Sequence, residues 1–201
     1  MPAPPAWYGQ VKPSLALSWE YDADKLTYTF KLRENATWVT ADGKKYADVT
    51  ANDFVAAAKY ILDAKNASST ANIFYSVIAG AEDYYLGTST PEEGKEPYPV
   101  KDFATVGVKA LDKYTLQYTL VEPVPYFLSM LTYVCFMPVN EQFLAEKGAD
   151  FGVATSNENL LYCGAYILET FKPQEKRVYA KNESNWDAAN VFIDRIEQTY
   201  N

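Results

Sequence analysis

Leu26-Thr27-Tyr28-Thr29-Phe30-Lys31-Leu32, followed after a turn by Val49-Thr50-Ala51-Asn52-Asp53-Phe54, decides how this chain is read. The first stretch alternates apolar and polar side chains with period two, so one face of a strand is buried and the other is wet. The second offers Thr50 as a helix N-cap, with Asp53 three residues on to face the unsatisfied amides of a new helix. Phe54, Val55, Ala58, Ile61 and Leu62 then follow at helical spacing. A strand leads through a turn into a capped helix.

Outward from that core, residues 14 to 32 give two strand-like runs, 50 to 65 a helix, and 71 to 86 a second, aromatic-rich helix closed by Gly87. Thr88 to Pro99, which holds Pro91, Gly94, Pro97 and Pro99, reads as a surface loop. Residues 104 to 111 and 115 to 121 form a hairpin about Asp112-Lys113, stopped by Pro123 and Pro125. Tyr126 to Thr132 reads as a short helix, Tyr133 to Met137 as a buried strand, and Asn140 to Lys147 as a helix ending at Gly148. Strands return at Gly164 to Phe171, Arg177 to Lys181 and Phe192 to Tyr200. The fold class is mixed α/β, of the α+β kind, without the regular βαβ repeat of a doubly wound sheet.

Composition excludes several functions. With 48% hydrophobic and 15% aromatic residues the 201-residue chain can bury a core, and no apolar run reaches the roughly 18 to 20 residues that span a bilayer. Eighteen basic against 26 acidic residues, net −8, argue against nucleic acid, whose phosphates need clustered Lys and Arg. The absence of His removes the commonest general base and every imidazole metal ligand. Carboxylates such as Glu92-Glu93 or Asp22 and Asp24 read as solvated loop acids rather than a glycosidase pair. No catalytic residue, metal or cofactor is assigned. Cys135 and Cys163 leave two readings open: a disulfide, if their apolar stretches are neighbours, contributing about 3 to 4 kcal/mol, or two small buried hydrophobes.

With Ser18-Trp19-Glu20 just upstream, the opening stretch resembles the extracytoplasmic oligopeptide- and dipeptide-binding proteins of ABC transporters, the bacterial solute-binding proteins of family 5. The hairpin Val106 to Leu120, the segment Pro123-Val124-Pro125-Tyr126-Phe127 and the helix start Pro138-Val139 resemble that family in order. Tyr162-Cys163-Gly164-Ala165-Tyr166 stands where the family usually reads Asn-Gly-Ala/Pro-Tyr/Phe. Lys181-Asn182-Glu183-Ser184-Asn185-Trp186-Asp187 is similar to its Asn-Pro-x-Tyr-Trp signature, with Glu183 in place of Pro.

The resemblance implies a periplasmic-binding-protein-like clamp of two lobes, in which peptide shifts an open form toward a closed one that docks on a permease. It implies a fragment of the first lobe: residues 1–11 a leading linker, 12–128 the small subdomain, and 129–201 part of the main subdomain, without its first strands. Implied partners are an oligopeptide ligand, ABC permease subunits and the missing second lobe, and strand edges meant to meet absent chain invite homo-association. The expected location is extracytoplasmic, as a periplasmic protein or a cell-surface lipoprotein. Its lipid anchor lies outside this chain, whose Pro-rich start, Met1 to Ala6, has neither an apolar signal region nor a lipobox cysteine.

By the same resemblance Phe74 and Tyr75 lie near the ligand, and Cys163, Gly164, Ala165 and Tyr166 line the cleft. A thiol at 163 bonds a ligand backbone more weakly than the usual amide. Gly164 and Ala165 admit close approach of a ligand or, equally, tight sheet packing. Trp19, Trp38 and Trp186 read as core anchors, and Tyr126 and Phe127 as packing. Seventeen Tyr and ten Phe supply contact area with little side-chain selectivity. Receptors for nickel, haem or sugar, and surface adhesion or signalling proteins of the same fold, remain alternatives; an imidazole nickel site is excluded within these residues.

Overall fold

A computed structural model describes residues 11–91, 93–153 and 156–200. In chain order these form β1 (Ala16–Asp22), β2 (Thr27–Leu32), β3 (Thr37–Val39), β4 (Lys45–Asp48), α1 (Ala51–Leu62), α2 (Ala71–Tyr75) and α3 (Ala81–Thr88). There follow β5 (Val108–Asp112), β6 (Thr115–Thr119), α4 (Phe127–Met130), α5 (Glu141–Lys147), β7 (Tyr166–Lys172), β8 (Lys176–Lys181) and β9 (Arg195–Thr199), with short 3-10 turns between. The strands make three antiparallel sheets, ordered β1-β2-β6-β5, β3-β4 and β7-β8-β9.

Alternation along β2 works as the sequence predicts. Phe30 and Leu32 are buried, while exposed Lys31 between them sends its amine to the Thr115 hydroxyl at 2.7 Å. The buried face takes α1, whose Ala58 and Leu62 are wholly enclosed. At the start of α1 the Thr50 N–H donates to the Asp53 carboxylate at 2.6 Å, and the Ala51 N–H to the Lys113 carbonyl at 2.9 Å. The helix is thereby fixed to the β5–β6 turn. Phe74, Phe127 and Phe136 close the core with Phe30 and Tyr118, in ring contacts of 4.9 to 6.3 Å. Each fully buried Phe contributes about 2 to 3 kcal/mol by leaving water.

A second, smaller apolar group of Ala36, Trp38 and Val49 takes in Leu161, Cys163 and Trp186 from the last third of the chain. Val39 and Tyr162 exchange backbone hydrogen bonds of 2.8 and 2.9 Å beside it. Trp38 is buried, as expected of an anchor. Trp19 and Trp186 are half-buried, and the Arg33 guanidinium stacks 3.9 Å above Trp186.

Three expectations are corrected. The helix expected over 71 to 86 is two: Ile78 leaves helical geometry to bridge Leu120, and Gly80 turns with φ +70° before α3 begins. Gly87 lies inside α3 rather than closing it, because the loop backbone at Pro99 packs where a side chain would stand. Tyr133 to Met137 is not a strand but a 3-10 turn over Val134–Phe136. Five apolar residues in a row carry no period that separates the two, and here Cys135 and Phe136 point inward while Val134 is 65% exposed.

Of the two readings left open for the thiols, the structure takes the second. Cys135 and Cys163 are both free, because Cys135 is enclosed in the main core and Cys163 packs against the smaller apolar group. Thiol titration of denatured protein without reductant is expected to find two reactive groups per chain; finding none would contradict this structure.

Candidate functional site

Residues Cys163 to Tyr166 run from the Val39–Tyr162 bridge into β7, and their carbonyls are held from behind. The Asn185 side-chain amide donates to the Cys163 carbonyl at 3.2 Å and that of Asn182 to the Gly164 carbonyl at 2.9 Å. The Asn182 N–H donates to the Ala165 carbonyl at 2.8 Å. Both Asn side chains also turn back on their own loop, accepting from the Ser184 N–H at 3.1 Å and the Asp187 N–H at 2.9 Å. Asn182 is buried, so its amide is committed to this work. Sequence reasoning missed these two residues as positioning groups, although the motif that contains them was visible.

With its backbone so fixed, the segment presents an open face at Gly164. Among the described residues, nothing beyond its two chain neighbours lies within 4 Å of the point a Cβ would occupy there, and the residue is exposed. Among the described residues nothing packs tightly on Gly164, so close approach is available on this face. Tyr166 is half-buried and tethered through its hydroxyl to the Ile193 carbonyl at 3.1 Å.

Cys163 adds little chemistry. Burial pushes its thiol up to about 12, with the Asp53 charge acting in the same direction, so at neutral pH it is neither thiolate nor nucleophile. Asp53 itself is a buried carboxyl joining three elements: the Thr50 hydroxyl approaches it at 3.2 Å and the Asn140 amide, at the start of α5, at 3.3 Å. Burial raises its pKa, against hydrogen bonds from Thr50 and Asn140 that lower it.

A raised native pKa means that the folded protein binds more protons than the unfolded chain, so this contribution favours folding at acid pH and is lost as pH rises through the native value. Asp53→Asn removes that slope. The unfolding free energy of the parent minus that of the variant is expected to fall as pH climbs from about 3.9; a flat or rising difference in urea titrations would contradict it.

The other candidates lie elsewhere. Phe74 is buried and stacked on Phe136 at 4.9 Å, so its ring belongs to the core and does not reach a cleft. Tyr75 is half-buried against Tyr85 at 5.0 Å, and among the described residues no hydrogen bond or ring contact joins it to the 163–166 segment. Tyr133, Val134 and Met137, read from sequence as buried, are instead exposed. A mainly apolar cavity of about 270 Å³ lies between β1–β2 and the chain before α5, lined by Leu15, Trp19, Leu128 and Met137. A groove of about 730 Å³ between the β3–β4 turn and α5 carries lysines and carboxylates of opposing charge. Neither includes residues 163 to 166.

Comparisons with known proteins bear on this surface. The family described as bacterial extracellular solute-binding proteins, family 5 Middle, matches residues 10–201. The oligopeptide-binding protein AmiA of Streptococcus pneumoniae is 43% identical over 193 residues, 96% of this chain and 27% of its own length. Among solved structures, a periplasmic oligopeptide-binding protein of Borrelia burgdorferi aligns with TM-score 0.78 at 33% identity, over 94% of this chain and 34% of that one. OppA of Listeria monocytogenes bound to peptide aligns with TM-score 0.76 at 30% identity, over 94% of this chain and 33% of that one. The chain thus spans about a quarter to a third of the length of the proteins it matches.

Proposed function

We propose, from the premise that this chain belongs to family 5 of the bacterial extracellular solute-binding proteins, that it supplies one jaw of an oligopeptide receptor serving an ABC importer. The single observation that carries this reading is the open face at Gly164, on a backbone pinned from behind by Asn182 and Asn185. An extended peptide can lie against such a strip and be held by main-chain hydrogen bonds, which leaves its side chains free to vary. That this chain's relatives are oligopeptide-binding proteins favours oligopeptide over nickel, haem or sugar, and the role is binding, not catalysis.

In this proposal a second lobe completes the cleft, closes over the peptide and forms with this jaw the surface that docks on the permease. The receptor works outside the cytoplasm, as a periplasmic protein or a surface lipoprotein. One jaw lacks half the contacts and the enclosing desolvation. Calorimetry of the 201-residue chain with a mixed peptide library is expected to give dissociation constants weaker than about 10 μM. Submicromolar binding would overturn the single-jaw reading. Gly164→Val should weaken the residual binding at least about tenfold, roughly 1.4 kcal/mol, without moving the melting temperature, since among the described residues nothing beyond its chain neighbours lies within 4 Å of the Cβ position. Unchanged affinity in a folded variant would remove Gly164 from the site.

A further inference from the structure

We infer that Arg33 is a positioning residue for the strip from Cys163 to Tyr166: its guanidinium, stacked on Trp186, locks the loop whose asparagines hold the carbonyls of that strip. On the receptor reading above, from which this follows, Arg33 sets peptide affinity without touching peptide.

Asn182 and Asn185 hold the strip, and the residue directly after them is Trp186. The loop that carries all three is itself fixed from its other side. The Arg33 guanidinium lies 3.9 Å from the centroid of the Trp186 ring, and the Thr37 hydroxyl donates to the Ser184 carbonyl at 3.4 Å. Arg33 is anchored in turn, because its Nε donates to the Ser14 carbonyl and its backbone N–H to the Leu15 carbonyl at 2.9 Å. A planar guanidinium so held presents one fixed face to an aromatic ring, which a lysine ammonium on a flexible stem does not. The stack also keeps half-buried Trp186 against the small apolar group of Ala36, Trp38 and Val49. A continuous route therefore runs from the end of β2 through Arg33, Trp186 and the Asn185 amide to the Cys163 carbonyl. Without the stack the loop moves and its asparagines move with it. Binding must then include the entropy of ordering the strip, which lowers affinity although no contact to peptide has been removed.

Amide hydrogen exchange and peptide titration of the 201-residue chain read order and affinity separately. The Ser184 and Asp187 N–H groups, bonded to the Asn182 and Asn185 side chains, should exchange at least about threefold faster in Arg33→Ala, the size of an exposed cation–π contact. Amides of β6, the inner strand between β2 and β5, should not change. Trp186→Leu should match Arg33→Ala, and the two together should speed exchange no further than either alone. Trp186→Phe keeps a ring face and should fall between Trp186→Leu and the parent. In Arg33→Ala the dissociation constant for a mixed-sequence peptide pool should rise at least about threefold, with the resonance shifts still centred on 163 to 166. Unchanged exchange, additive effects of the two substitutions, or unchanged affinity in a loosened loop would overturn the role of Arg33. Should the parent show no peptide shifts at 163 to 166, the receptor reading fails, and the exchange rates alone decide whether Arg33 orders the strip.

Discussion

Replacing Phe127 by alanine is expected to lower the unfolding free energy by about 3 to 5 kcal/mol, the largest effect of any substitution argued for this chain. The ring is fully buried and meets Tyr28 at 5.1 Å, Tyr118 at 5.6 Å and Phe136 at 6.0 Å. It therefore joins both central strands of the main sheet to the turn that carries Cys135. Truncation loses the transfer of a large apolar surface and also leaves a void that surrounding rings cannot fill without leaving their rotamers. Against a typical total of about 5 to 15 kcal/mol, much of the variant would be unfolded under mild stress. The adjacent Tyr126 is 56% exposed, so Tyr126→Ala should stay within about 0.5 kcal/mol of the parent. Urea denaturation of the pair measures the contrast; equal losses would mean that α4 does not dock as described.

Gly80→Ala is expected to cost about 2 to 4 kcal/mol, by adding left-handed strain to a steric clash. Gly80 has φ +70°, and a Cβ there would stand 2.5 Å from the Thr105 carbonyl oxygen. That oxygen is backbone and cannot swing aside. The neighbouring segment is laced into the sheet, with the Ala79 N–H donating to the Thr119 carbonyl at 3.0 Å and the Gly107 N–H to the Ala79 carbonyl at 2.8 Å, so relief by movement would break those bonds. Gly94 separates the two contributions. Its φ is +80°, but among the described residues nothing lies within 4 Å of its Cβ position, so Gly94→Ala should cost only the backbone share, about 1 kcal/mol. Equal losses in thermal unfolding would show that the Thr105 contact carries no weight.

Residues with a clear period were legible in advance. The alternation of β2, the Thr50–Asp53 helix start, the hairpin about Asp112-Lys113 and the Asn140 to Gly148 helix all stand where local pattern placed them. What failed lacked a period or depended on distant chain. Tyr133 to Met137 is uniformly apolar, so its turn and the exposure of Val134 followed from packing against α1 and α2, not from its own sequence. The break between α2 and α3 comes from Thr105 and Leu120, some 25 to 40 residues away in the chain. Burial of Phe74 has the same origin, since its partner is Phe136.

The candidate strip was visible as a motif but not as a mechanism. Tyr162-Cys163-Gly164-Ala165-Tyr166 stood out by resemblance, whereas the hold of Asn182 and Asn185 on its carbonyls required the fold to bring residues 18 to 22 positions apart together. Polar residues in a loop are ordinarily solvated. Only burial of Asn182 distinguishes it.

The central claim is that the surface from Cys163 to Tyr166 receives the backbone of a peptide. Titration of the isotopically labelled 201-residue chain with a short mixed-sequence peptide pool, followed through its amide resonances, tests it even when binding is weak. The account predicts concentration-dependent shifts centred on residues 163 to 166 and absent in Gly164→Val. Shifts confined to other surfaces, or none at millimolar peptide, would contradict it.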